Sequence, residues 1–190
     1  MTLDVLLADA RERLATRAIA EGVARVAVDV MQSPLGPLWL AIGPKGVLAI
    51  HYGADANEGD LRRIVARYGP GVLRAPKRLD EVKRELDEYF AGKRTRFELS
   101  VDLSALTPFQ RRVLAATKRV PFGRVRSYQE IATQAGIPSA SRATGNALGA
   151  NPIPIVVPCH RILGSDGALH GYAGGVDRKR WLLKLEGVLR

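Results

Sequence analysis

The sequence predicts an α+β chain of two domains: an N-terminal small antiparallel β-sheet with helices, then a mainly helical C-terminal domain with a helix-turn-helix. Three observations predict it. Alternating β-rich runs broken by glycine and proline fill residues 25–52, helical periodicity with capping signals takes over after Leu106, and the charge divides between the halves. Residues 1–105 carry 16 Lys+Arg against 15 Asp+Glu, whereas residues 106–190 carry 13 against 4, so +9 of the net +10 lies in the second half. A near-neutral half joined to a basic one points to a polyanion-binding part, although on charge alone a surface kept charged for solubility explains it equally well.

The predicted division is a helical extension at 1–24, an α/β domain at 25–104 and a basic, mainly helical domain at 105–190. In the extension, Leu3, Leu6, Leu7, Ala10, Leu14 and Ala18 recur at helical spacing between charged residues, which predicts an amphipathic surface helix. Val26, Val28 and Val30 alternate, Ser33 to Pro37 reads as a turn, and Leu38–Ile42 and Val47–Tyr52 complete an antiparallel meander. Helices are predicted over Asp60–Tyr68 and Leu79–Ala91, then a strand over Thr95–Leu103. No phosphate loop, metal-ligand cluster or catalytic pairing occurs in this half.

After Leu106, Thr107 is an N-cap with Pro108 at the first helical position, and the apolar face runs to Val120. A turn at Pro121–Gly123 precedes a helix over Ser127–Ala135, stopped by Gly136 and Pro138. A third helix, Ser139–Leu148, completes the outline of a helix-turn-helix. Its residues Ala140, Ser141, Ala143, Gly145 and Ala147 are small, and Arg142 alone among the first of them reaches far. A major-groove reader presents several long polar side chains; this helix instead suits close backbone approach and one inserted arginine, or tight packing in a core.

At 46% hydrophobic and 25% charged, the 190 residues have an ordinary globular composition, which speaks against disorder and membrane spanning. The one cysteine allows no internal disulfide and no cysteine-based zinc cluster, in keeping with a reducing cytoplasm. The N-terminus shows no charged start, apolar core and cleavage site of the secretory kind. A cytoplasmic protein without membrane attachment is expected.

Cys159 ends the apolar run Ile153, Ile155, Val156 and Val157, after Pro158, in what reads as an active-site loop. A lone cysteine is usually a small buried hydrophobe. Here His160 and Arg161 follow it and favour a thiolate, which is otherwise only a few per cent populated at neutral pH. On an extended strand consecutive side chains point to opposite faces, so Cys159 and His160 need a turn or a bridging water. A third group must orient the imidazole, and spacing does not choose among the carboxylates after residue 105, Glu130, Asp166, Asp177 and Glu186.

Pro158-Cys-His-Arg161, preceded by Asn151-Pro152 and followed by Gly164-Ser-Asp-Gly167 and Gly171-Tyr-Ala-Gly-Gly175, resembles the active-site motif of the O6-alkylguanine-DNA alkyltransferases, or methylated-DNA–protein-cysteine methyltransferases. The likeness extends to Val120-Pro-Phe-Gly123, Ser127-Tyr-Gln-Glu-Ile-Ala132, Ser141-Arg-Ala-Thr-Gly145, Trp181-Leu-Leu and Glu186-Gly187. It is dense over 105–187 and loose over 25–104.

The resemblance implies direct-reversal DNA repair: minor-groove binding by the helix-turn-helix, flipping of an alkylated guanine, and irreversible single-turnover transfer of the alkyl group to Cys159. It implies that Glu186 orients His160, that His160 deprotonates Cys159 through a water, and that Tyr128 drives base rotation and helps neutralise the leaving guanine. Arg142 would fill the vacated stack, beside Ser141, Ala143 and Gly145 at the DNA. Asn151, as hinge, with Pro154, Ser165, His170, Tyr172 and Ala173, would surround the alkylguanine pocket. No cofactor is implied. The implied partner is double-stranded DNA containing O6-alkylguanine, with O4-alkylthymine a second substrate left open, and the chain is expected to be a monomer whose cooperative assembly on DNA is also left open. The N-terminal half lacks the cysteines by which some members hold zinc, so no metal is expected, and His170 is expected to reduce tolerance for bulky adducts. The alternative, a non-catalytic alkyltransferase-like damage sensor, lacks the acceptor cysteine. A helix-turn-helix regulator would need base-reading side chains on 139–148, and a cysteine hydrolase a remote catalytic histidine.

Overall fold

The protein is described here by a computed structural model covering residues 3–190, apart from the side chains of Leu3, Asp4 and Ala8. Residues 1–2 of the predicted extension, and the Leu3 part of its apolar stripe, lie outside the described residues. The chain divides into two compact units, Met1–Asp87 with Leu99–Ala105, and Glu88–Glu98 with Leu106–Arg190.

In the first unit, α1 (Leu3–Ala20) is a surface helix, but the predicted apolar face is mostly not buried. Leu6, Leu7 and Leu14 are exposed and, among the described residues of the helix, only Ala15 is buried. Next come β1 (Val26–Met31), β2 (Leu38–Gly43) and β3 (Gly46–Tyr52), antiparallel in sequence, with Leu40 opposite Asp29 and Ile50. A short strand the sequence reading missed, β4 (Val72–Arg74), adds to β1 in parallel, so the antiparallel meander becomes a four-stranded sheet of order β3-β2-β1-β4. Three residues are too few for alternation to register. α2 (Glu58–Tyr68) begins at Asn57, whose Oδ1 accepts the amides of Gly59 and Asp60. Its Ile64 packs with Val26, Trp39, Ala41, Leu48 and Ala49 in the core of the unit.

A single turn of 3-10 helix, Pro76–Leu79, leads into α3 (Asp80–Phe90). The strand predicted over Thr95–Leu103 does not form. Val101 makes one parallel bridge to Val47, and residues 95–98 belong to the other unit, where the Phe97 ring packs 5.2 Å from Tyr89. Gly46 is required beside this bridge: its φ is +127°, and a Cβ there would strike the Ser100 carbonyl.

The second unit contains three helices packed on one another: α4 (Pro108–Lys118), α5 (Tyr128–Gln134) and α6 (Ser141–Gly149). Capping boxes start the first two, Thr107 with Gln110 and Ser127 with Glu130. The third begins two residues later than predicted, because Pro138 and Ser139 form a turn. β5 (Arg126–Ser127) pairs in parallel with β6 (Ile162–Leu163), Arg126 opposite Ile162, and α7 (Val176–Leu185) follows. Residues 88–98, which the division at 104/105 assigns to the first domain, pack here because Tyr89 and Phe90 are drawn into an aromatic cluster with Phe97, Phe122 and Trp181.

Candidate active site

Cys159 is buried and opens a one-turn 3-10 helix, Cys159–Arg161. The segment before it is not the extended strand the apolar run suggested. Residues 151–157 are all buried in a turn-rich loop, where Ile155 holds φ of +74°, a conformation disfavoured for a β-branched residue. Asn151 organises that loop: its Oδ1 accepts the amide of Ile153, and its Nδ2 donates to the Val157 carbonyl at 2.9 Å and to Cys159 Sγ at 3.1 Å. Since Cys159 and His160 follow one another on a helical turn, the opposed faces of a strand no longer separate them.

His160 is fully buried, with Nε2 2.9 Å from Glu186 Oε1. Of the carboxylates left open by spacing, Glu130 caps α5, Asp166 accepts the Ala168 amide, Asp177 pairs with Arg180, and Glu186 meets the histidine. Burial opposes the charge on Glu186, but hydrogen bonds from His160 and Arg161 and their charges hold its pKa at about 2. The ionised carboxylate only accepts, so Nε2 of His160 carries the proton. The imidazole pKa is lowered, chiefly by burial, so the ring is neutral and its Nδ1 is a bare acceptor. That Nδ1 is buried without a hydrogen-bond partner.

Glu186 also accepts the Tyr89 hydroxyl at 2.7 Å, the Gly123 amide at 3.2 Å and a two-point contact from Arg161, Nε to Oε2 and Nη2 to Oε1, both 2.9 Å. Arg161 thus serves the carboxylate and, through Nη1, the Val120 carbonyl, rather than favouring the thiolate as its place beside Cys159 suggested. Nor is the resting thiol lowered. Burial pushes it up, against hydrogen bonds from Asn151 and Tyr172 and the charge of Lys179.

Tyr128 is half-buried at the start of α5, delivered by the β5–β6 pairing that joins this helix to the segment after Cys159. Its hydroxyl pKa is raised by burial and then by the Cys159 charge, which keeps it a neutral donor. Gly145 of α6 faces this ring, where a Cβ would lie 3.7 Å away. Arg142 and Ala143 are exposed near the start of α6, and Ser141 and Gly145 are half-buried, while Thr144, Ala147 and Leu148 are buried, so the helix has both an exposed face and a packed one.

The remaining pocket candidates divide. Tyr172 reaches the cysteine, and His170 is exposed with its ring 6.3 Å from Tyr128. Ser165 and Ala173 lie exposed in the loop, and Pro154 is wholly packed within the segment before Cys159. Sequence reasoning missed Tyr89 and Lys179. Lys179, Leu182, Leu183 and Glu186 recur at i, i+3, i+4 and i+7, one face of a helix, and that spacing is the signal that singles out the lysine. Among the described residues no group of three or more His, Cys, Asp or Glu side chains is placed to hold a metal, and no helix is long and apolar enough to cross a membrane.

A helix-turn-helix in the same unit as a buried cysteine, followed by a histidine held by a glutamate, defines the class: a DNA-binding fold with a candidate cysteine site. Two family models match, the 6-O-methylguanine DNA methyltransferase ribonuclease-like domain over residues 26–103 and the DNA-binding domain of the same family over 108–188. The methylated-DNA–protein-cysteine methyltransferase of Mycolicibacterium paratuberculosis is 44% identical over 159 residues, covering 82% of this chain and 89% of that protein. The Salmonella typhimurium protein of that name is 40% identical over 181 residues, covering 87% and 98%. The crystal structure of Mycobacterium tuberculosis OGT in complex with DNA superposes with a TM-score of 0.74 at 39% identity, over 84% of this chain and 92% of that one. The chain belongs to the methylated-DNA–protein-cysteine methyltransferase family.

Proposed function

We propose that this chain repairs DNA by direct reversal, taking the alkyl group of O6-alkylguanine in duplex DNA onto Cys159. The observation that carries the reading is the buried acceptor set, a protonated thiol beside a neutral histidine held by an ionised glutamate. A thiol that burial keeps protonated needs a base. The unpartnered Nδ1 of His160 takes the proton through a water, while Glu186 holds the Nε2 proton and stabilises the imidazolium. The thiolate attacks the alkyl carbon: the S–C bond forms, the C–O6 bond breaks, and its electron pair leaves with guanine O6. The Tyr128 hydroxyl donates a hydrogen bond to the guanine as it accepts that charge, and the base then takes up a proton from solvent.

The thioether product is neutral and holds no leaving group that water displaces, so each chain repairs one lesion. The stacked base must be extruded to reach a buried sulfur. The small, partly exposed residues at the start of α6 support close approach to a minor groove, and the exposed Arg142 supports insertion into the gap. Asn151, with one side-chain amide on both the loop and the sulfur, suits the hinge role. A reducing cytoplasm would keep Cys159 reduced. The presence of Cys159 with His160 and Glu186 speaks against the sensor reading.

The test is incubation with a duplex containing one O6-methylguanine, followed by peptide mass spectrometry. One methyl on the Cys159 peptide, lost in Cys159→Ala, is expected. Binding without modification would establish the sensor instead.

A further inference from the structure

Tyr89 is fully buried in the unit that carries Cys159, its ring set among Phe97 at 5.2 Å, Phe90 at 5.6 Å and Phe122 at 6.1 Å. A phenylalanine would fill the same space with no hydroxyl to take out of water. The hydroxyl is therefore the part of Tyr89 that packing does not explain. It donates to Oε1 of Glu186 at 2.7 Å.

Glu186 does not need that bond for its charge. Arg161 already neutralises it through a two-point contact, and the Gly123 amide adds a bond to Oε2. What distinguishes the tyrosine is the oxygen it reaches. Oε1 is the atom that holds His160 Nε2 at 2.9 Å, and it also accepts Arg161 Nη2 at 2.9 Å, so the side chains of Tyr89, His160 and Arg161 converge on an atom with about two lone-pair directions. A hydrogen bond that stabilises the ionised carboxylate lowers its affinity for a proton, and with it its pull on the imidazole proton it shares.

We infer that Tyr89 is a positioning residue for the transfer: its hydroxyl fixes Oε1 of Glu186 beside His160 and tempers the pull of that oxygen, so that the imidazole rests neutral with Nδ1 bare for the thiol proton. The inference rests on Cys159 being the acceptor and His160 its base. Without the phenol on Oε1 the carboxylate favours the imidazolium more strongly, and a histidine already protonated takes nothing from a thiol. Burial lowers His160 and Glu186 raises it, and Tyr89 works against the second of these. The charged groups acting on His160 are Glu186, Arg161 on its own turn and Lys179 from α7; Glu186 faces His160, Arg161 and the Tyr89 hydroxyl.

Tyr89→Phe keeps the ring and removes the hydroxyl. The pH dependence of methyl transfer from an O6-methylguanine duplex to Cys159 is followed in the wild type and this variant. The acid limb, where His160 takes up a proton, is expected to move up by about half a unit, a rate about threefold lower at a fixed pH on that limb. The His160 Nε2 proton resonance is expected to move downfield as its bond to Glu186 tightens. Lost packing alone would lower the melting temperature, or slow transfer equally at every pH, and leave the limb in place; an unmoved limb in folded Tyr89→Phe overturns the inference. Should that variant not fold, the hydroxyl proton of Tyr89 compared by NMR in the wild type and His160→Phe decides. It is expected to move downfield once the histidine no longer shares Oε1, and an identical resonance overturns the sharing. Methyl transfer to wild-type Cys159 tests the acceptor assignment separately, so transfer with an unmoved limb removes the role of Tyr89 alone.

Discussion

Glu186 carries the densest set of interactions in the site. Its carboxylate accepts from Tyr89, Gly123, His160 and Arg161 while almost wholly buried. Glu186→Gln leaves the Arg161 guanidinium buried without its counter-charge, and loss of about 3–5 kcal/mol is expected in denaturant unfolding. The pH dependence has a definite sign. His160 is lowered from its ordinary value of 6.5, so as pH falls below 6.5 the unfolded chain gains a proton that the folded one refuses, and stability declines. Glu186 adds a second decline between 4.5 and about 2, where the unfolded carboxylate is protonated and the folded one is not. Thermal unfolding should therefore show a midpoint falling between pH 6.5 and 5 in the wild type. In His160→Gln that limb should flatten; an unchanged slope would mean the histidine is not held neutral.

At the scale of elements, α5 and α6 divide the work. The capping box of Ser127 and Glu130 fixes the start of α5 and with it Tyr128, and the parallel pairing of β5 with β6 brings that tyrosine to the cysteine segment. The start of α6 offers Arg142 on a surface of small residues. Arg142→Ala is expected to slow repair of a methylated duplex by at least tenfold while leaving reaction with free O6-benzylguanine nearly unchanged, because only the duplex has a stack to fill. Equal losses on both substrates would remove the inserted-arginine role. The loop between α6 and the cysteine was legible as apolar but not as turns, since its conformation depends on Asn151 bonding back to residues two to eight positions later.

For the molecule as a whole, the division of charge is a statement about binding. The half that carries +9 is the half that carries α4 to α7 and Cys159. Duplex affinity should decline linearly with salt on logarithmic axes, as counterions are released from neutralised phosphates, and filter or fluorescence binding across a salt series checks it. A salt-independent affinity would refute the phosphate contribution. By itself the sequence determined the fold class, the meander, the capped helices and the ordered motifs around Cys159, because these rest on local periodicity, caps and spacing. Only the tertiary structure decided that β4 joins the sheet, that residues 95–103 form no strand, that Arg161 and Tyr89 share the Glu186 carboxylate with His160, and that Lys179 is buried on the Ile162 carbonyl. Each of these depends on groups distant in the chain meeting away from water, where the energy of a charge is set by its neighbours in space rather than in sequence.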